Sequence, residues 1–178
     1  MHFGYMNIIM IVSHRTNYYI EIILLKEMVY VNEEIEQAKQ KVLNELGYAP
    51  MAIVLGSGLG DFPKVLVNQK KIPYSQIPHM PQTSVQGHSG ELIIGELPPS
   101  NKNNNNEKKV IYCFAGRIHS YEGGPWDEVT FQVKLMAAVG CKLFIMTNAS
   151  GGLFDDMTGG CLCLLTGHFR LLAQNESI

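Results

Sequence analysis

The run Met51-Ala52-Ile53-Val54-Leu55 is apolar without interruption and passes directly into Gly56-Ser57-Gly58-Leu59-Gly60. A strand of that composition has no polar face to offer water, so it demands cover on both sides. The same arrangement recurs. Leu143-Phe144-Ile145-Met146 enters Thr147-Asn148-Ala149-Ser150-Gly151-Gly152, and a third apolar run at residues 161–165 follows a turn rich in Asp and Gly. Helical patterns separate the strands. Ile35, Ala38, Val42 and Leu46 recur at intervals of three or four, with Asn32 as cap and Gly47 as stop. A second helix starts from Pro125 at its first position, runs through Val129, Val133 and Met136, and stops at Gly140. Buried strands alternating with helices predict an α/β fold, a central mixed β-sheet flanked by helices, with ligands near the strand ends.

Two further strands, Glu91 to Leu97 and Lys109 to Ala115, read as a hairpin pair. Pro98-Pro99 and the polar run at residues 101–106 connect them, so residues 98–108 are expected to form a surface loop. Residues 72–88 carry three prolines and little periodicity, and they read as an irregular segment ending in Gln86-Gly87-His88-Ser89-Gly90. Residues 1–28 contain an apolar run from Phe3 to Val12 without a basic start, followed by His14, Arg15, Glu21, Lys26 and Glu27. This is the pattern of neither a signal peptide nor a membrane span. The expected organisation is an atypical extension over residues 1–28 and one domain over residues 29–178, in a cytoplasmic setting.

A chain of 178 residues with 46% apolar content can bury one sizeable core. With 14 Lys and Arg against 16 Asp and Glu, and no basic block, it lacks a footprint for nucleic acid. Small ligands or protein partners are expected. Cys113, Cys141, Cys161 and Cys163 each sit among apolar residues and read as reduced core thiols; no further Cys or His pair completes a zinc pattern, so no metal is expected.

The glycine loop at residues 56–60 is neither a dinucleotide fingerprint, since Asp61 stands where glycine is required, nor a P-loop, since no lysine follows until Lys64. What remains is a compact turn whose N–H groups, with the Ser57 hydroxyl, can cradle an anion or simply reverse the chain. Arg117 and His119 follow a buried strand in Ala115-Gly116-Arg117-Ile118-His119-Ser120-Tyr121-Glu122-Gly123, where alternate residues share a side. The guanidinium fork matches phosphate and the imidazole can add a donor; the plainer alternatives are a surface arginine and a packed histidine. Tyr121 can reach a sugar hydroxyl or cap the sheet edge. His88, between glycines, can approach the same anion or remain a solvated turn residue. The small residues of Asn148-Ala149-Ser150-Gly151-Gly152 would let a flat ligand approach the backbone, or they form an ordinary tight turn.

Taken together, Val54 to Gly60, Gly87 to Gly90, Gly116 to Gly123 and Thr147 to Gly152 resemble the trimeric class of purine nucleoside phosphorylases, in order and in spacing, over roughly residues 32–178. The resemblance implies reversible phosphorolysis of purine nucleosides to free base and pentose 1-phosphate by a homotrimer. Phosphate would be the co-substrate, with no metal or organic cofactor. By position, Ser57, His88, Arg117 and His119 match the phosphate site, with Arg117 and His119 as the catalytic pair. Tyr121 matches the sugar contact, and Asn148 with Ala149 matches the loop touching phosphate, sugar and base, where Ser150 and Gly151 adjoin the nucleoside. The acid and amide that receive the leaving purine lie farther along the family's domain than Ile178. The 178 residues alone are therefore expected not to turn over substrate, and the run at 161–165 to lack part of its cover. Competing expectations are a methylthioadenosine phosphorylase or hydrolytic nucleosidase, the hydrolase disfavoured by Arg117 and His119, and an inactive phosphate-binding or subunit-interaction module.

Overall fold

The computed structural model describes residues 3–4, 7–14, 17–23, 29–83, 89–99, 108–122, 124–155, 157 and 161–165, with residues 3–30 described by their backbone. The strands are β1 (Phe3–Gly4), β2 (Asn7–His14), β3 (Asn17–Ile23), β4 (Val29–Tyr30), β5 (Met51–Val54), β6 (Val67–Pro73), β7 (Glu91–Glu96), β8 (Val110–Ala115), β9 (Leu143–Ala149) and β10 (Cys161–Leu164). The α-helices are α1 (Glu33–Leu46) and α2 (Trp126–Val139). One mixed sheet runs in the order β10-β3-β2-β9-β5-β8-β7-β6, and β1 pairs with β4 separately. This is the expected α/β fold.

Helix α1 forms as its sequence dictates. The Asn32 side chain accepts a hydrogen bond from the Ile35 N–H, and Glu33, Glu34 and Glu36 place negative charge at the positive end of the helix dipole. Gly47, at φ 86°, ends it, and Ile35, Ala38, Val42 and Leu46 are all buried. The Tyr112 hydroxyl donates to the Gly47 carbonyl, tying the helix stop to β8. Helix α2 begins one residue later than its proline suggests, with Pro125 as the cap rather than the first helical residue, and left-handed Gly140 closes it.

Strand β5 lies between β8 and β9, parallel to both. Ala52 and Val54 face the helices, in a core with Tyr112, Phe114, Phe144 and Leu135. Ile53 and Leu55 face the other way, against Ile93, Ile111 and Cys113, with Leu59, Phe62 and Leu66 beside them. Both faces of the apolar run are therefore covered. The hairpin of β7 and β8 pairs antiparallel from Glu91↔Ala115 to Glu96↔Val110, as the sequence implied. The loop at residues 101–106 lies outside the described residues.

Three features differ from the sequence reading. Residues 67–73 carry no apolar alternation, yet they form β6, the edge strand on β7, with Lys70 and Lys71 exposed and a register shift between Val67 and Lys70. Charge and irregularity of this kind discourage pairing with another chain. The prolines at the head of the segment expected to be irregular bracket this strand's end and a 3-10 turn at Tyr74–Gln76 that buries Tyr74. Second, β2 pairs in parallel with β9 from Asn7↔Leu143 to Ser13↔Ala149, so residues read as a preceding extension stand inside the sheet. Strand β9 consequently runs to Ala149 rather than stopping at Met146, where its pairing with β5 ends. Third, Cys163 is only half-buried on β10, the sheet's edge. Cys113 and Cys141 are fully buried as expected, and desolvation pushes both thiols up to about 12. The Cys161 side chain lies outside the described residues. Among the described residues, no helix is long and apolar enough to cross a membrane.

Candidate functional site

Because β8, β5 and β9 are parallel neighbours, their C-terminal ends open on the same side of the sheet. Register sets the level: Val54 stands opposite Phe114 on one side and Met146 on the other. The glycine loop, the Arg117 segment and the Asn148 segment therefore leave the sheet together.

Thr147 joins all of them. Its hydroxyl donates to the Val54 carbonyl at 2.7 Å and accepts from the Gly56 N–H at 2.6 Å. Its own carbonyl accepts from Arg117 Nη1 at 3.3 Å. The approach of the loop to β9 is so close that a Cβ on Gly56 would sit 2.3 Å from the Thr147 oxygen, which explains why glycine stands at that strand end. Beyond it, the loop is a turn with Gly58 at φ 88° and Ser57 exposed at its tip; it leads into a short 3-10 helix at Phe62–Val65.

Arg117 is partly buried. Desolvation pulls its guanidinium below the ordinary value, opposed by Tyr121, but arginine stays charged. His119 stands two residues on. Its backbone N–H donates to Glu122 Oε1 at 2.7 Å, and its ring stacks on Tyr121 with centroids 4.7 Å apart and planes 13° from parallel. Tyr121 is thus an exposed lid on the imidazole, and the tyrosine does not cap the sheet edge with its ring.

Arg117 and His119 line one cavity of about 180 Å³ between the sheet and α2, together with Gln132 and the apolar side chains of Val54, Phe144 and Met146. Ile118 and Ser120 line the same cavity, so the whole segment borders it rather than alternate residues alone. Ser57, Tyr121, Asn148, Ala149, Ser150 and Gly151 do not line it. Ala149, Ser150 and Gly151 lie exposed past the end of the buried run. Asn148 Oδ1 is buried with no hydrogen-bond partner among the described residues. His88 lies outside the described residues. Among those described, no group of three or more His, Cys, Asp or Glu residues is placed to hold a metal ion.

No sequence motif singles out Thr147, which bonds Gly56 and Arg117, or Tyr74 and Gln132, whose side chains both donate to the Gly116 carbonyl beside Arg117. The signals were present: Thr147 is a polar residue closing an apolar strand, and Gln132 is an amide beside the apolar stripe of α2. Tyr74 was hidden in a proline-rich stretch without periodicity.

The sequence model of the Phosphorylase superfamily matches residues 50–177. Purine nucleoside phosphorylase 1 of Geobacillus stearothermophilus is 37% identical over 145 residues, which make up 81% of this chain and 50% of that protein. Purine nucleoside phosphorylase of Bos taurus is 32% identical over 80% of this chain and 46% of its own length. Isoform 2 of the Schistosoma mansoni purine nucleoside phosphorylase, solved in complex with cytosine and ribose-1-phosphate, superposes with a TM-score of 0.58 at 29% identity, over 72% of this chain and 42% of that one. The chain spans about half the length of the curated relatives it matches. The ends of β5, β8 and β9 all fall within the matched residues: the chain belongs to the phosphorylase superfamily.

Proposed function

We propose that the strand ends of β5, β8 and β9 hold inorganic phosphate and that this site serves the reversible phosphorolysis of purine nucleosides. One observation carries the reading. Thr147 bonds the glycine loop through Gly56 and the guanidinium of Arg117 at once, immediately before Asn148. A glycine turn rich in N–H groups and a fixed cation at one strand-end level suit an oxyanion, while Asn148 Oδ1, an acceptor without a partner among the described residues, suits a hydroxyl donor of the pentose.

In this reading Ser57, His88, Arg117 and His119 hold the phosphate, with Asn148 and Ala149 at its inner side. Tyr121 meets the pentose, and Ser150 and Gly151 lie along the nucleoside. Phosphate oxygen attacks the anomeric carbon as the glycosidic bond breaks; the bonding pair leaves with the purine, which takes up a proton. The phosphate charge stabilises the positive ribosyl centre, and holding the nucleophile in line removes much of the entropic barrier. Purine as leaving group is supported by the relatives, which are purine nucleoside phosphorylases. A homotrimer and a cytoplasmic setting complete the proposal on the family resemblance.

The test is a titration of the full chain with inorganic phosphate, followed by calorimetry, beside Arg117→Ala. Losing a charge-assisted pair costs about 1.5–3 kcal/mol, so affinity should fall by at least about tenfold at unchanged helix content. Equal affinity in the variant removes the assignment.

A further inference from the structure

We propose that Tyr74 and Gln132 are positioning residues for Arg117, acting together on the carbonyl of Gly116. The inference rests on the phosphate-site reading and assigns that site a support which neither sequence pattern nor family match indicates.

Gly116 is the last residue before Arg117, and at φ 131° it adopts a conformation that side chains disfavour. Its carbonyl accepts two hydrogen bonds, from the Tyr74 hydroxyl at 2.7 Å and from Gln132 Nε2 at 2.8 Å. Gln132 Nε2 also lies 3.3 Å from the Tyr74 oxygen, which closes a triangle. Both side chains are buried, Tyr74 at 1% and Gln132 at 7% exposure. Burial raises the phenol's pKa, so it remains a neutral donor.

The peptide bond is planar, so fixing the Gly116 carbonyl fixes the plane that also contains the nitrogen and Cα of Arg117. The direction in which the arginine leaves the strand is thereby set. At its far end, the guanidinium meets the Thr147 carbonyl. Arg117 is thus held at root and tip, which leaves little side-chain freedom to lose when an anion binds. Tyr74 contributes a second tie: its N–H donates to the Gly90 carbonyl at 2.7 Å, and the Gly90 N–H donates to Ala115 at 3.0 Å. The end of the Gly87-His88-Ser89-Gly90 motif and the start of the Arg117 segment are joined through one residue.

Polar side chains buried between sheet and helix are costly unless hydrogen-bonded, and here both direct a donor at the Gly116 carbonyl. What they hold is the single peptide on which the direction of Arg117 depends. Gln132 also lines the cavity that Arg117 and His119 share.

The experiment uses the full chain with inorganic phosphate as probe, comparing the natural sequence with Gln132→Met, which keeps the shape without the donor, and Tyr74→Phe, which removes only the hydroxyl. Each should weaken phosphate binding about fivefold, the worth of one neutral hydrogen bond. Nitrogen-15 relaxation at Arg117 Nε should report greater side-chain motion in both variants. In an Arg117→Lys background, Gln132→Met should cost less than about twofold, because its effect passes through the guanidinium. A natural chain that binds no phosphate would overturn the site reading and this role with it. A natural chain that binds phosphate, with both folded variants binding equally well or with the full loss persisting beside Arg117→Lys, would overturn the positioning role alone.

Discussion

The two flanks of the sheet are built from apolar runs that look alike in sequence, and the structure treats them differently. On the β5-β8-β7 flank, α1 and α2 lie over one face, and Phe114, Tyr112 and Leu92 have no exposed surface. On the other flank, β10 ends the sheet beside β3, and Leu162 is 59% exposed with Leu164 partly so. The turn before it carries Leu153 and Phe154 in the open. Leu162 and Leu164 therefore keep exposed apolar surface where Phe114 and Leu92 keep none. An apolar run states a demand for cover, but the elements folding back over it decide whether the demand is met. The candidate site lies where the flanks meet, at β5 and β9, which explains why Thr147 must serve both as core residue and as bridge.

The sharpest way to break this contrast is to truncate one apolar side chain on each flank. Phe114→Ala on β8 should cost about 3–5 kcal/mol, since a buried ring leaves a cavity that its neighbours fill only in part. Leu162→Ala on β10 should stay within about 0.5 kcal/mol, as expected of an exposed position. Urea unfolding midpoints of the two variants provide the comparison, and similar losses would mean that the flanks are equally packed. At the junction, Gly56→Ala drives a Cβ into the Thr147 backbone oxygen, which has no flexible end to swing aside. A cost of about 1–3 kcal/mol is expected, with phosphate binding weakened in the same variant. Unchanged stability and binding would show that the loop does not depend on that approach. The smallest effect belongs to the helix covering the first flank: Asn32→Ala removes the cap of α1 and should cost about 1 kcal/mol, read as a lowered thermal midpoint.

Local features were legible because their causes are local. The period of Ile35, Ala38, Val42 and Leu46, the Asn32 cap and the Gly47 stop are satisfied by neighbours within a few residues, so α1 could be read almost to its ends. The motif residues Arg117 and His119 were likewise readable as a pair, because they stand two apart in one short segment directly after β8. Strand β6 was not legible, since residues 67–71 all face water and only Ile72 enters the core, which leaves no apolar alternation to read. Helix α2 was placed one residue early because a proline cap and a proline at the first helical position look the same without dihedral angles.

The amino-acid sequence by itself determined which segments must be buried, where they break into glycine and small polar residues, and which cation and imidazoles accompany those breaks. Hydrophobic burial and backbone sterics act residue by residue and leave a periodic trace. Tertiary structure alone decided that β2 would pair with β9 and lengthen it to Ala149, that Thr147 would bond Gly56 and Arg117 together, and that Tyr74 and Gln132 would share the carbonyl of Gly116. Hydrogen bonds between residues 58 or 91 positions apart carry no periodicity along the chain, because their partners are chosen by sheet order and register rather than by sequence neighbourhood.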